Sequence, residues 1–265
     1  MRIEKLKEVN ELDKVLDFLT PFANFGGEKT RDELIKAIIH ADDFVLVAKD
    51  GESICGVFAF FVEPQNHYLE LTHVFSDNEK SYKKLFEYLS SNYESWQLDV
   101  VIKHANPLLE QTLRGIDGTF YPFQIKMVLD TFKEYKHDLE IVGYDPKYRH
   151  DYLSLHSTDV YWTGERVLDN LDIFKVLLAV QDNQVVGYVD TAYKSVENEP
   201  YDLFVKVEYR NKGYGKALVS EMVKAVQSKN IFVYVDEDNI AAIKVYCSIG
   251  FVITQERIQT VSVKL

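Results

Sequence analysis

Two stretches of this chain run apolar, turn polar for a few residues and run apolar again. They are VLVAKDGESICGVFAF, residues 45–60, and VLLAVQDNQVVGYVDT, residues 176–191. Each predicts a β-hairpin, with polar turns at 49–53 and 181–184. Laid over each other, Leu46 falls on Leu177, Ala48 on Ala179 and Gly56 on Gly187, every pair 131 residues apart. Helix-like periodicity at 11–18 and 31–39 leads into the first hairpin. Further along, HANPLLEQTL (104–113) corresponds to DEDNIAAIKVY (236–246), with Asn106 and Asn239 separated by 133. The two matches point to one plan written twice. The join is expected in TFKEYKHDLE (131–140), a charged stretch between strand-like QIKMVL and LEIVGY. That gives domains at 1–132 and 138–265.

The second half continues as strand, loop and helix. DLFVKV (202–207) alternates and is β-rich, and after Gly215 the positions Leu218, Met222, Ala225 and Val226 recur at helical spacing. Between them, YRNKGYGKAL (209–218) holds two glycines and the cations Arg210, Lys212 and Lys216. Such a loop delivers main-chain N–H groups to a helix N-terminus, which attracts anions. Glycine lets those groups face a ligand with no Cβ in the way. A pyrophosphate cradle is the functional reading, and a plain turn between strand and helix the bland one. Two other phosphate motifs fail on spacing. Arg210 and Ala217 stand where a P-loop needs Gly and Ser or Thr, and Leu218 where a dinucleotide fingerprint needs Gly.

VDEDNIAAIKVYCSIGF (235–251) reads as a strand end, an N-cap at Asp238 or Asn239, a helix, and a closing Gly250. Asn239, Ala242 and Tyr246 share one helix face. That stripe is polar, small, then phenolic, whereas Ile240 and Ile243 sit off it, so a long thin ligand could lie along it.

Composition narrows the partners. With 46% of 265 residues hydrophobic, the chain has ample material for a packed core. A net charge of −12 argues against nucleic acid or an anionic membrane and suits a cationic or amine substrate. Cys55 and Cys247 lie in unrelated patterns and read as buried thiols of a reducing compartment. The charged start has no apolar stretch for a signal peptide, and runs such as 57–62 fall short of the roughly 18 residues that span a bilayer. A cytoplasmic location follows as the expectation. DEDN lacks the glycine of a calcium loop and no histidine spacing suggests zinc, so no metal is expected.

LFVKVEYRNKGYGKAL (203–218) followed by VYVDEDNIAAIKVYCSIGF (233–251) resembles the GNAT superfamily of N-acyltransferases, which use acetyl-CoA. The R-x-x-G-x-G loop, the N-x-x-A-x-x-x-Y helix and the closing G-F match in order and spacing. Val207 stands where the family often has proline. The resemblance implies an α/β fold of two tandem GNAT-like domains, each a mixed, mostly antiparallel twisted sheet flanked by helices. It implies that Leu203, Phe204 and Val205 offer main-chain groups to the pantetheine arm. Arg210, Asn211, Lys212, Gly213, Tyr214, Gly215 and Lys216 would hold the pyrophosphate, and Asn239 would bond the pantetheine.

By the same resemblance, an amine attacks the thioester directly while a main-chain N–H polarises its carbonyl, and Tyr246 protonates the departing thiolate. Asp202 and Asp190 are candidate general bases by position, with an ordered water as the alternative. The acceptor class is a small-molecule or peptide amine, and the oligomeric state stays unread. DVYWTGER (159–166) lies where such enzymes often place acceptor-contacting loops, so Tyr161, Trp162 and Glu165 could line a pocket; Trp162 could equally be core. Other readings are a catalytically silent acyl-CoA-binding or regulatory protein, and transfer of a longer acyl or aminoacyl group. The phosphate loop favours a CoA thioester over a tRNA-borne donor.

Shifted back by 133, Gly213 falls on Lys80, Gly215 on Tyr82 and Tyr246 on Leu113. Side chains stand where a cradle must be bare. The first half is therefore expected to be a degenerate lobe that binds no acetyl-CoA and helps wall the acceptor pocket.

Overall fold

Both hairpins form, and both carry the same irregularity at the same place. β2 (Phe44–Asp50) pairs with β3 (Ser53–Glu63), Ala48 lies opposite Gly56, and the register slips between Ala48 and Lys49. β8 (Phe174–Gln181) pairs with β9 (Gln184–Ala192), Ala179 lies opposite Gly187, and the register slips between Ala179 and Val180. Bulges are built features of a sheet, and a shared one supports the duplication. The second turn is a two-residue one, with Asp182 and Asn183 both at positive φ (51° and 61°), the twist that suits a tight hairpin.

The computed structural model describes every residue except 23, 24, 104, 159, 194–197 and 227–229, so His104 and Asp159 of the motifs above lie outside the described residues. The chain forms two compact units, Met1–Phe123 with Arg257–Leu265, and Gln124–Glu256.

In the first unit, β1 (Arg2–Leu6), β2, β3, β4 (Tyr68–Phe75) and β5 (Gln97–Ile102) lie side by side in that order, only β4 and β5 being parallel. Alternation along β2 and β3 feeds two cores. Phe44, Leu46, Phe58 and Phe60 cluster with Tyr82, Leu85 and Leu89 of α3 (Glu79–Asn92). Val45, Val47, Val57 and Ala59 cluster with Leu12, Val15 and Leu19 of α1 (Leu12–Leu19) and Leu34 of α2 (Glu28–Ile39). α4 (Pro107–Arg114) and β6 (Thr119–Leu129) follow.

In the second unit, β7 (Glu140–Gly143), β8, β9 and β10 (Glu199–Val205) form a four-stranded antiparallel sheet. α5 (Arg149–Leu155) and α6 (Gly164–Asp169) join the cluster of Phe174, Val176, Leu178 and Tyr188, through Tyr152, Val167 and Leu168. α7 (Tyr214–Val226) and α8 (Ile240–Ile249) join the cluster of Ala179, Val186 and Val189, through Leu218, Met222, Tyr246 and Ile249. β11 (Phe232–Asp236) pairs with β6 from Phe232 opposite Val128 to Asp236 opposite Gln124.

The units are not cut at 131–140. β12 (Phe251–Lys264) pairs with β5 from Gln259 opposite Ile102 to Lys264 opposite Gln97, so the chain's end completes the first unit. Residues 124–129 in turn pair inside the second. Sheet edges set the division, and the charged segment is no free linker. Asp130 and Lys133 donate main-chain N–H bonds to the carbonyls of Gly250 and Ile249 (3.1 and 2.8 Å), and Tyr135 N–H to Ser220 Oγ (3.1 Å). Gly250 is doubly required, by its φ of 106° and because a Cβ there would lie 1.8 Å from Thr131 O.

Other expectations shift as well. The predicted strand 202–207 ends at Val205 and passes into a 3-10 turn over Val207–Tyr209, with Val207 71% exposed. Val207 takes the first turn position, where the fixed φ of a proline would also fit. Both cysteines are free, but Cys247 is exposed and Cys55 half-buried, against the expectation of buried thiols. Among the described residues no helix is long and apolar enough to cross a membrane.

Candidate active site

β10 and β11 are joined by one parallel bridge, Asn198 to Ile231, and belong to different sheets. The side of β10 away from β9 is therefore an open edge beside a divergence of strands. Lys206 donates its N–H to Val186 O (2.9 Å) on β9. Antiparallel alternation then turns Phe204 toward β9 and leaves the main-chain groups of Leu203 and Val205 on the open side. Of the three residues proposed for pantetheine, only these two can offer it main-chain bonds. The side chains split likewise, Leu203 and Val205 packing with the α7 cluster and Phe204 with Tyr188.

The glycine loop follows directly. Asn211 (φ 60°) and Gly213 (φ 94°) are left-handed, and α7 starts at Tyr214. Among the described residues, no acceptor meets the main-chain N–H groups of residues 211–216; the first internal bond is Ala217 N–H to Gly213 O (3.0 Å). Six bare donors at a helix start are a competent anion site. A Cβ on Gly215 would meet nothing nearer than Val245 at 3.7 Å, so protein packing does not require glycine there. Arg210 folds back, its Nε donating to Val205 O (2.9 Å), and so guards the strand end. Lys212 and Lys216 lie over the rings of Tyr209 and Tyr135. Tyr214 enters the loop only by its backbone, since its ring is buried and its hydroxyl donates to Gln181 Oε1 (2.8 Å). Tyr135, not foreseen from any motif, sits against this loop: its hydroxyl would lie 2.6 Å from a Cβ on Gly213.

Asn239 is the N-cap of α8, accepting Ala242 N–H on Oδ1 (3.0 Å) and keeping its amide donors free for a ligand. The stripe is less open than its composition suggested: Tyr246 is only 4% exposed and packs edge-on against Phe251, while Ile240 is 53% exposed. Burial, and then the nearby Asp202 and Glu199, push the Tyr246 phenol well above its ordinary range, so it holds its proton.

Asp202 does reach this neighbourhood, with a side chain 37% exposed. Its Oδ2 accepts the Tyr188 hydroxyl (2.6 Å) and lies 3.9 Å from His156 Nδ1. Asp190 is fully buried, its Oδ2 accepting the Tyr152 hydroxyl (2.8 Å) and touching His156 Nε2 at 2.9 Å. Burial raises the Asp190 carboxyl, while His156 and Tyr152 pull it back down. His156 carried no motif and was not foreseen. Residues 160–166 are mostly structural: Trp162 packs on Phe174, Tyr161 meets Trp162 edge-on, and Glu165 pairs with Arg149.

The first unit shows what the site looks like when filled. Asn106 caps α4 as Asn239 caps α8, accepting Leu109 N–H (3.1 Å). Its Nδ2 is spent on the Tyr82 hydroxyl (2.7 Å), which itself donates to Ser76 O (2.6 Å). Tyr82 is fully buried, as is Leu113, the counterpart of Tyr246. A cavity of about 500 Å³ remains in this unit, lined by Phe22, Lys29, Glu33, His73, Lys103 and Asn106 among others.

Two α/β units of one plan, one with a bare glycine loop beside parting strands, define a tandem GNAT fold. Residues 172–253 match the family model of an acetyltransferase (GNAT) domain. No curated protein matches the chain. Among solved structures it is similar to a tandem GNAT protein from the clavulanic acid biosynthesis pathway, at 12% identity and TM-score 0.61, covering 99% of this chain and 98% of that one. It is similar also to a GCN5-related N-acetyltransferase from Sphaerobacter thermophilus, at 11% identity and TM-score 0.62, covering 99% and 96%. A functionally unknown conserved protein from Staphylococcus epidermidis matches at 15% identity and TM-score 0.63, covering 78% and 90%. At such identities the structural likeness is one of fold.

Proposed function

We propose that the second unit transfers an acetyl group from acetyl-CoA to an amine. The observation that carries this is the set of unpartnered N–H groups over residues 211–216, beside a protonated phenol at Tyr246. The loop fits a diphosphate: it presents donors, it is bare at Gly215, and Lys212 and Lys216 add positive charge. The main-chain groups of Leu203 and Val205 would bind the pantetheine amides, and the Asn239 amide would donate to the same arm. When bound, the coenzyme supplies an activated thioester. Tyr246 gives the departing sulfur a proton, a role whose usual worth is about 10²–10⁴ in rate. Asp202 accepts the proton that the attacking nitrogen sheds. The acidic neighbourhood of Asp202, Asp190 and Glu199 suits a cationic acceptor. The cytoplasm is the compartment this reading assigns.

Gly215→Val is the test, because a Cβ there meets nothing nearer than Val245 at 3.7 Å. Calorimetry should show coenzyme A affinity falling by about tenfold or more at unchanged melting temperature. Unchanged affinity in the folded variant would remove the cradle, and with it the reaction. Thiol release from acetyl-CoA across a panel of primary amines separates an enzyme from a silent binder.

A further inference from the structure

A protonated amine cannot attack a thioester, so one proton must leave the acceptor nitrogen before or during attack. A carboxylate alone is poorly matched to that task, since carboxylic acids as a class (pKa about 4) hold a proton weakly against an ammonium (pKa about 10) at neutral pH. A group with a midpoint nearer 7 is needed behind it, and imidazole is the side chain that supplies one.

His156 stands directly behind Asp202. It follows the last turn of α5, and its side chain is 3% exposed. Three neighbours fix the ring: Tyr188 from β9 stacks on it at 4.2 Å and 17°, Tyr152 from α5 meets it edge-on at 4.6 Å, and the bare backbone of Gly164 from α6 closes the third side. A Cβ at Gly164 would come within 3.0 Å of the imidazole, so that glycine makes room for it. The charged groups facing the ring are Asp190 on one edge and Asp202 on the other, 2.9 and 3.9 Å from its two nitrogens. Neither contact is a straight hydrogen bond. Both ring nitrogens and Asp190 Oδ1 are buried with no hydrogen-bond partner among the described residues. A histidine kept only for packing would be expected to satisfy at least one nitrogen, because an unmet buried polar atom is costly.

We propose that His156 is the proton store of the second unit, taking the acceptor's proton through Asp202 while Asp190 balances the imidazolium. The inference rests on the acyltransferase reading of that unit. Of the two protons an ammonium acceptor loses on becoming an amide, one ends on the coenzyme sulfur by way of Tyr246. The other passes from nitrogen to Asp202 Oδ2 and on to His156 Nδ1, then leaves to solvent by the same route after product departs. His156 never touches the acceptor and is a positioning residue; Asp202 is the group that meets it.

The test is a histidine NMR titration of the whole protein, with the His156 resonance assigned by its loss in His156→Gln. Asp202→Asn should lower the midpoint of that resonance by about 0.5–1 unit, since removing a nearby anion disfavours imidazolium. A midpoint unmoved by Asp202→Asn, with coenzyme A binding intact by calorimetry, overturns the relay alone. Absence of coenzyme A binding by the wild type overturns the reading beneath it. Kinetics add a second arm. With benzylamine, an ammonium at neutral pH, His156→Gln should lower kcat about 10–100-fold and abolish the acid limb of the pH profile. With hydroxylamine, already uncharged at pH 7, the same variant should change kcat less than about threefold. Equal losses with both acceptors would mark His156 as merely structural.

Discussion

Tyr82 and Gly215 hold matching places in two copies of one plan, and the contrast between the units turns on that pair. In the second unit the place is empty, six N–H groups are bare and the Asn239 amide is free to donate. In the first, a buried phenol fills the place and consumes the Asn106 amide. The helix caps themselves are alike, at 3.0 and 3.1 Å. A binding cradle is thus defined by side chains that are missing, and filling it strengthens a core. Removing a buried aromatic costs about 3–5 kcal/mol, so a copy released from binding gains stability by closing its site.

The sharpest way to break the comparison is to cut the strand the first unit takes from the chain's end. Deleting residues 257–265 removes buried Ile258, Val261 and Val263, each worth roughly 1.5–3 kcal/mol, together with the β5–β12 ladder. That loss rivals the whole stability of a domain, so scanning calorimetry should lose the first unit's transition. A surviving transition would mean the first unit is complete without its borrowed strand. Next in size is Tyr82→Gly, expected to cost about 3–5 kcal/mol by chemical denaturation. Coenzyme stoichiometry should stay at one per chain, because Lys80 still stands where Gly213 does. A second site appearing would show that Tyr82 is the whole difference.

Tyr246→Phe should lower kcat for thiol release by about 10²–10³ with coenzyme affinity changed less than about twofold. Its raised pKa also fixes a sign: the acid stays protonated as pH rises, so no alkaline loss assignable to Tyr246 should occur below about pH 10. The smallest effects are the paired caps. Asn106→Ala and Asn239→Ala should each cost about 1 kcal/mol of stability. Only Asn239→Ala should also weaken coenzyme binding.

The hairpins, the loop and the Asn239 cap were legible because each is written in local spacing. Ala48 and Gly56, like Ala179 and Gly187, pair as their common offset implied. The domain boundary was not legible, because it depends on which strand a sheet edge recruits. Charge at 131–140 suggested a boundary, whereas Tyr135 and Lys133 are tied down by partners 85 and 116 residues distant. His156 escaped notice for the opposite reason: it belongs to no pattern, and its meaning comes from Asp190 and Asp202 on two other strands. Gly164, two residues before Arg166, was the one local trace of it.

A strand made late finishes a unit begun early. Residues 124–256 must all emerge before 257–265 can reach β5. At roughly 5–20 residues per second, Gln97–Ile102 waits on the order of 10 s with one side unpaired. During that wait the nascent protein carries an exposed strand flank that neighbouring chains on the same message could capture.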